Sequence, residues 1–221
     1  MKETVRAVIF DMDGVLLDTE RLCFACFERA GGERGLSGIR AVYRRCMGTG
    51  TADMFSVLRE VYGADFDARG FYDRVMELFH ATETEQGLPL MPQVVPCLRA
   101  LRAAGYRLAV ASSTRTATVR RQLAAAGILD FFETTTCGDT VAHAKPAPDI
   151  YLRACASLAL PPAACVAVED SFNGVRAACA AGISCVMVPD QLPPTDEIRD
   201  LAAVVLDDLG GLPPWLAAAA S

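Results

Sequence analysis

Four short, continuous apolar runs constrain this chain more than any other feature: Val5 to Phe10, Arg107 to Ala111, Ala164 to Val168 and Ser184 to Val188. Each has the length of a strand buried on both faces, and none alternates apolar with polar residues as a half-exposed strand would. Helical patterns alternate with them, over Val94 to Ala104, Thr116 to Ala126, Asp149 to Ser157 and Asn173 to Ala181. Gly105, Gly127 and Gly182 stand just past three of these, where a helix C-cap takes glycine. Weaker strands are expected over Glu133 to Cys137 and Ala203 to Leu206. Strand–helix alternation of this kind predicts an α/β fold, a doubly wound parallel sheet covered by helices on both faces.

The rhythm breaks once. About a hundred residues separate the first two convincing strands, far more than one crossover needs. The segment between reads as helical, with amphipathic pieces at Glu20 to Ala30, Ile39 to Cys46, Thr51 to Tyr62 and Phe71 to Glu85. Gly31-Gly32, Gly35, Gly63 and Gly70 are expected to punctuate them. The predicted organisation is a core of residues 1–17 and 88–221 with an α-helical subdomain, 18–87, inserted after strand one. Leu88-Pro89 to Met91-Pro92 forms the return linker, and the Ala-rich stretch Ala217 to Ala220 is expected to fray.

Composition excludes several function classes. The 221 residues carry a net charge of -6, which argues against a general nucleic-acid binder. No uncharged apolar run is long enough to span a bilayer, and the first apolar run is too short and wrongly flanked for a signal peptide. Nine cysteines, mostly in apolar surroundings, suit a reducing cytoplasm better than a disulfide framework. Cys23-x-x-Cys26 lacks the partners of a zinc or redox site. His80 and His143 lie far apart, with no H-E-x-x-H motif and no G-x-S-x-G elbow. Gly48-Thr49-Gly50-Thr51 has neither a dinucleotide fingerprint nor a nucleoside-triphosphate loop.

Open α/β sheets bind ligands beyond the carboxyl ends of their strands. There the chain carries Asp11-Met12-Asp13-Gly14, Ser112-Ser113-Thr114 and Glu169-Asp170-Ser171, with Lys145-Pro146 in a loop before a helix. Asp11 and Asp170 can hold a hard cation such as magnesium through oxygen ligands. A carboxylate can also attack phosphorus. Asp13 could serve as general acid and then base. The Ser112 hydroxyl and the amides after it can donate to phosphate oxygens, and Lys145 adds a fixed positive charge. Each motif alone is commonplace as a turn or helix cap. It is their joint occurrence at strand ends that points to chemistry.

Together these residues resemble the four motifs of the haloacid dehalogenase-like hydrolase superfamily: Phe10 to Glu20, Ala111-Ser112-Ser113, Lys145-Pro146-Ala147-Pro148-Asp149, and Val168-Glu169-Asp170-Ser171-x-Asn173-Gly174. The helical insertion resembles the family's C1 cap, and the closest group is the sugar-phosphate phosphatases and β-phosphoglucomutase-like proteins. The resemblance implies Asp11 as nucleophile and Asp13 as acid/base. It implies Ser112, Ser113 and Lys145 as phosphate binders. Magnesium would be held by Asp11, the Asp13 carbonyl, Glu169 and Asp170. The dehalogenase branch lacks a carboxylate at the place of Asp13, so the chain is expected to act on phosphate. β-Phosphoglucomutases carry a His where Cys23 stands, and an Arg where Thr51 stands. Thr cannot make a bidentate charged contact, which favours a hydrolase over a mutase. Leu22, Cys23, Met47, Thr49 and Thr51 are candidate specificity residues of the cap. The expectation is a monomeric cytoplasmic phosphatase of a small-molecule phosphate ester, with no nucleic-acid or membrane partner. Its alternatives are a β-phosphoglucomutase-like phosphomutase and a non-catalytic phosphate-binding module.

Overall fold

The computed structural model describes residues 4–47 and 50–219. Two compact units emerge, Met1–Asp18 with Leu88–Ser221, and Thr19–Gly87. Among the described residues the first unit holds one sheet of six parallel strands, in the order β3-β2-β1-β4-β5-β6. They are β1 (Ala7–Phe10), β2 (Arg107–Ser112), β3 (Thr134–Cys137), β4 (Cys165–Glu169), β5 (Ser184–Met187) and β6 (Val204–Val205). The order reverses at β1, which sits between β2 and β4.

Helices cover both faces, and side-chain alternation in β1 shows why. Val8 and Phe10 point into one cluster with Leu98 and Leu101 of α5 (Val94–Ala103), Val119 and Leu123 of α6 (Thr116–Ala125), and Leu212 and Leu216 of α10 (Leu212–Ala219). Ala7 and Ile9 point the other way, against α7 (Asp149–Ser157), α8 (Phe172–Ala180) and Ile198 of α9 (Asp196–Leu201). The second face is built from smaller residues: Ala109, Ala111 and Ala167 on the strands meet Ala154, Ala177 and Ala178 on the helices. Small side chains let helices sit close to the sheet, which favours α7 and α8 there.

The loop after β1 is tight. Gly14 takes a left-handed φ of 77°, and the amides of Leu16 and Leu17 both bond to the Met12 carbonyl at 2.9 and 3.0 Å. The outgoing and returning chain segments then run antiparallel, with the Asp18 amide on Pro89 O at 2.9 Å and the Met91 amide on Leu16 O at 3.0 Å.

The second unit consists of α1 (Thr19–Glu33), α2 (Ile39–Cys46), α3 (Thr51–Tyr62) and α4 (Ala68–Gln86). Its core is aromatic: Phe27 packs edge-to-face on Phe71 at 4.9 Å and on Tyr43 at 5.1 Å.

Three sequence expectations fail locally. Gly31 and Gly32 do not end α1, which runs on to Glu33. Gly31 is there for packing, since a Cβ on it would lie 2.7 Å from Ile39 Cγ1. Gly70 lies inside the first turn of α4 rather than before it, and its amide donates the capping bond to Asp67 Oδ1 at 2.9 Å. The alanine stretch is helical through Ala219. Among the described residues no helix is long and apolar enough to cross a membrane.

Candidate active site

The site lies at the carboxyl ends of β1, β2 and β4, beside the switch in strand order. Asp11 follows β1 directly, and its amide bonds to Val168 O of the neighbouring strand at 2.9 Å. Its carboxylate is buried. Lys145 reaches it from the loop ahead of α7, with Nζ donating to Asp11 Oδ1 at 2.5 Å. The same ammonium donates to Glu169 Oε1 at 2.6 Å and to Ala111 O at 3.1 Å. Glu169 closes β4 and is wholly inaccessible.

Asp170 completes the cluster. Oxygens of Asp11, Glu169 and Asp170 lie within 4.8 Å of one another, close enough to share one cation. Gly14 makes this approach possible, because a Cβ there would lie 2.5 Å from Asp170 Oδ2. Gly174 plays the same part at the other side, where a Cβ would collide with the Glu169 carboxyl group. An all-oxygen donor set of this size fits a hard divalent ion such as magnesium.

Burial pushes the Asp11 carboxyl up to about 7, against the pull of Lys145 and with Glu169 and Asp13 adding to the rise. Burial works to lower the Lys145 ammonium, yet Asp11 and Glu169 beside it hold it above the ordinary lysine value. Lys145 therefore stays charged at neutral pH, facing more carboxylates than it can neutralise. A cation would balance the remainder.

The other expected residues fall into three groups. Asp13 lies in the loop after β1, and its Oδ2 accepts a bond from the Thr114 hydroxyl at 3.1 Å. Ser112 ends β2, is fully buried, and accepts the Thr114 amide on Oγ at 3.1 Å. Ser113 is exposed, and its carbonyl packs against Gly138, where a Cβ would clash. Leu22 and Cys23 on α1 are half-buried, Met47 is half-buried after α2, and Thr51 is exposed at the start of α3. They belong to the helical unit and are not part of this cluster. Thr49 lies outside the described residues.

Sequence reasoning passed over three participants. Thr114 tethers Asp13, although it was visible within Ser112-Ser113-Thr114. Ser171 donates to Glu169 Oε2 at 3.2 Å while capping α8 through the Gly174 amide at 3.1 Å. Tyr151, fully buried on α7, donates to Glu169 Oε1 at 2.6 Å. Burial, and then Glu169, hold its hydroxyl well above the ordinary tyrosine value.

An open parallel sheet with clustered carboxylates and one buried ammonium at its switch point defines an α/β enzyme whose site suits an anionic group and a hard cation. The profile of the haloacid dehalogenase-like hydrolases matches residues 5–182. The CbbY protein of Rhodobacter capsulatus is 34% identical over 95% of this chain and 99% of its own length. A phosphorylated-carbohydrates phosphatase of Thermotoga maritima is 34% identical over 81% of this chain and 82% of its own. The crystal structure of a β-phosphoglucomutase candidate from Thermotoga maritima superposes with a TM-score of 0.81 at 29% identity, covering 97% of this chain and 99% of that one. The chain belongs to the haloacid dehalogenase-like hydrolase family.

Proposed function

We propose that the protein is a magnesium-dependent phosphatase that hydrolyses a small phosphorylated metabolite, in the sugar-phosphate class, through a covalent aspartyl phosphate. The observation that carries this reading is the buried Lys145 bridge between Asp11 and Glu169, set beside Asp170. The phosphatase-named relative supports the substrate class.

Asp11 donates an electron pair from its carboxylate to phosphorus, and the bond from phosphorus to the ester oxygen breaks. Asp13 gives the leaving oxygen its proton. Water then attacks the aspartyl phosphate, Asp13 takes the proton, and inorganic phosphate departs with Asp11 restored. Thr114 keeps the Asp13 carboxyl in place through both steps. Ser112, Ser113 and Lys145 bind the phosphoryl oxygens. Asp11, Asp13, Glu169 and Asp170 would hold magnesium, which supplies positive charge against the phosphoryl group when bound. The helical unit is assigned to substrate selection as a cap, with Cys23, Thr49 and Thr51 as candidate contacts.

A screen of sugar phosphates and p-nitrophenyl phosphate with magnesium tests the reading. Steady release of inorganic phosphate is expected, and its loss in Asp11→Asn. Isomerisation of a sugar phosphate without phosphate release would make the protein a mutase and overturn the proposal.

A further inference from the structure

Glu169 is inaccessible to water, and both of its oxygens are occupied. Oε1 accepts from Lys145 Nζ and from the Tyr151 hydroxyl, each at 2.6 Å, and Oε2 accepts from Ser171 Oγ at 3.2 Å. The Lys145 ammonium is equally committed. An ammonium has three protons to donate. Here they have acceptors in Asp11 Oδ1 at 2.5 Å, Glu169 Oε1 at 2.6 Å and Ala111 O at 3.1 Å. A phosphoryl oxygen that takes a bond from Lys145 must therefore displace one of these acceptors. Asp11 is the reacting group, so the exchange falls on Glu169 or the carbonyl.

Taking the ammonium donor away from a buried carboxylate oxygen is costly. Tyr151 reduces that cost, because Oε1 keeps the phenol donor when the lysine turns away. The ring also lies 5.2 Å from Lys145 Nζ, so the ammonium stays against an aromatic face. Packing alone does not call for the hydroxyl. Tyr151 shares its cluster with Ile150, Ala154 and Val175, where a phenylalanine would fill nearly the same volume without burying a polar atom.

We propose that Tyr151 is a positioning residue for phosphoryl transfer: its hydroxyl holds Glu169 in place so that Lys145 can turn from Glu169 to the transferring group. The role rests on the phosphatase reading above. No bond to Tyr151 forms or breaks, and its proton stays on the phenol throughout.

The experiment compares wild type, Tyr151→Phe, Glu169→Gln and the double variant. With p-nitrophenyl phosphate and magnesium, Tyr151→Phe should lower kcat about tenfold, the effect of losing one hydrogen bond to a charged group, while KM stays near the wild-type value. A structural role alone would reduce the folded fraction and leave turnover per folded molecule unchanged. Thermal midpoints in magnesium-free buffer give an activity-independent reading. The two single variants should be non-additive, with Tyr151→Phe shifting the midpoint less in the Glu169→Gln background. Should Tyr151→Phe fail to fold, the near-ultraviolet difference spectrum between wild type and Glu169→Gln reads the same contact, and loss of the carboxylate acceptor should shift the tyrosine band. An unchanged kcat, additive midpoints or an unshifted band would each overturn the role. An active wild type with an unaffected Tyr151→Phe removes only the positioning role. A wild type that hydrolyses no phosphate ester removes the phosphatase reading and this role with it.

Discussion

Charge is used in opposite ways by the two units. In the helical unit the arginine–carboxylate pairs Arg74 with Glu33 at 2.7 Å, Arg45 with Glu60 at 2.7 Å and Arg40 with Glu28 at 3.0 Å lie at the surface. Both partners of each of these pairs are solvated, and such pairs do little for stability. The one buried carboxylate among the described residues there, Glu83, lies 3.3 Å from His80. In the α/β unit the decisive pairs are buried. Side-chain exposure is 7% for Lys145, 9% for Asp11 and 0% for Glu169. Burying such groups costs free energy unless every partner is present. Several carboxylates gathered around one buried lysine are the pattern expected of a functional site, so the contrast marks this cluster as the candidate for chemistry.

The largest effect should come from Lys145→Met. It removes the shared cation from two buried carboxylates, and turnover of p-nitrophenyl phosphate should fall about a thousandfold. Unfolding by urea should show a loss of about 3 kcal/mol, as expected when one partner of a buried pair is removed. Near-normal turnover would break the comparison. Next in size is Gly174→Ala, whose Cβ would collide with the Glu169 carboxyl. Activity should drop about a hundredfold, the scale of a misplaced catalytic group, while circular dichroism still reports a folded chain.

The third effect is electrostatic. Asp11 is held up to about 7, chiefly by burial, so under the proposed function a magnesium ion bound by its carboxylate would have to displace a proton. Magnesium affinity should therefore rise about tenfold per pH unit below ~7 and level off above it. Calorimetry in two buffers of different ionisation enthalpy would show the proton release, and an affinity flat across that range contradicts the prediction. The smallest effect is expected from Arg74→Ala in the helical unit. Its thermal midpoint and turnover should both match wild type within error, and a large loss of either would erase the distinction between the units.

Much of the α/β unit was legible in the sequence. The four apolar runs all contain strands, and the three glycines expected to end helices all take left-handed φ values: Gly105 at 86°, Gly127 at 70° and Gly182 at 76°. Periodicity and cap chemistry act over a few residues, so they can be read directly. The glycine failures differ in cause. Gly31 resembles a helix breaker until Ile39 of the next helix packs on it, a contact outside the local pattern. Gly70 is a case of local cap chemistry passed over, because Asp67 three residues earlier accepts its amide as the helix N-cap.

The candidate site divides in the same way. Asp11, Ser112, Glu169 and Asp170 stand at strand ends, a position that the run of hydrophobicity already marks. Tyr151 offered no such mark. A tyrosine in an apolar helix reads as core, and its bond to Glu169 exists only because α7 docks on the small-residue face of the sheet. The sequence by itself determined the strands, the helices and which charged residues wait at their ends, because those follow from short-range pattern. Only the tertiary structure decided which donors complete the site, because Lys145 meets Asp11 across 134 residues of chain and such pairings depend on how distant segments pack.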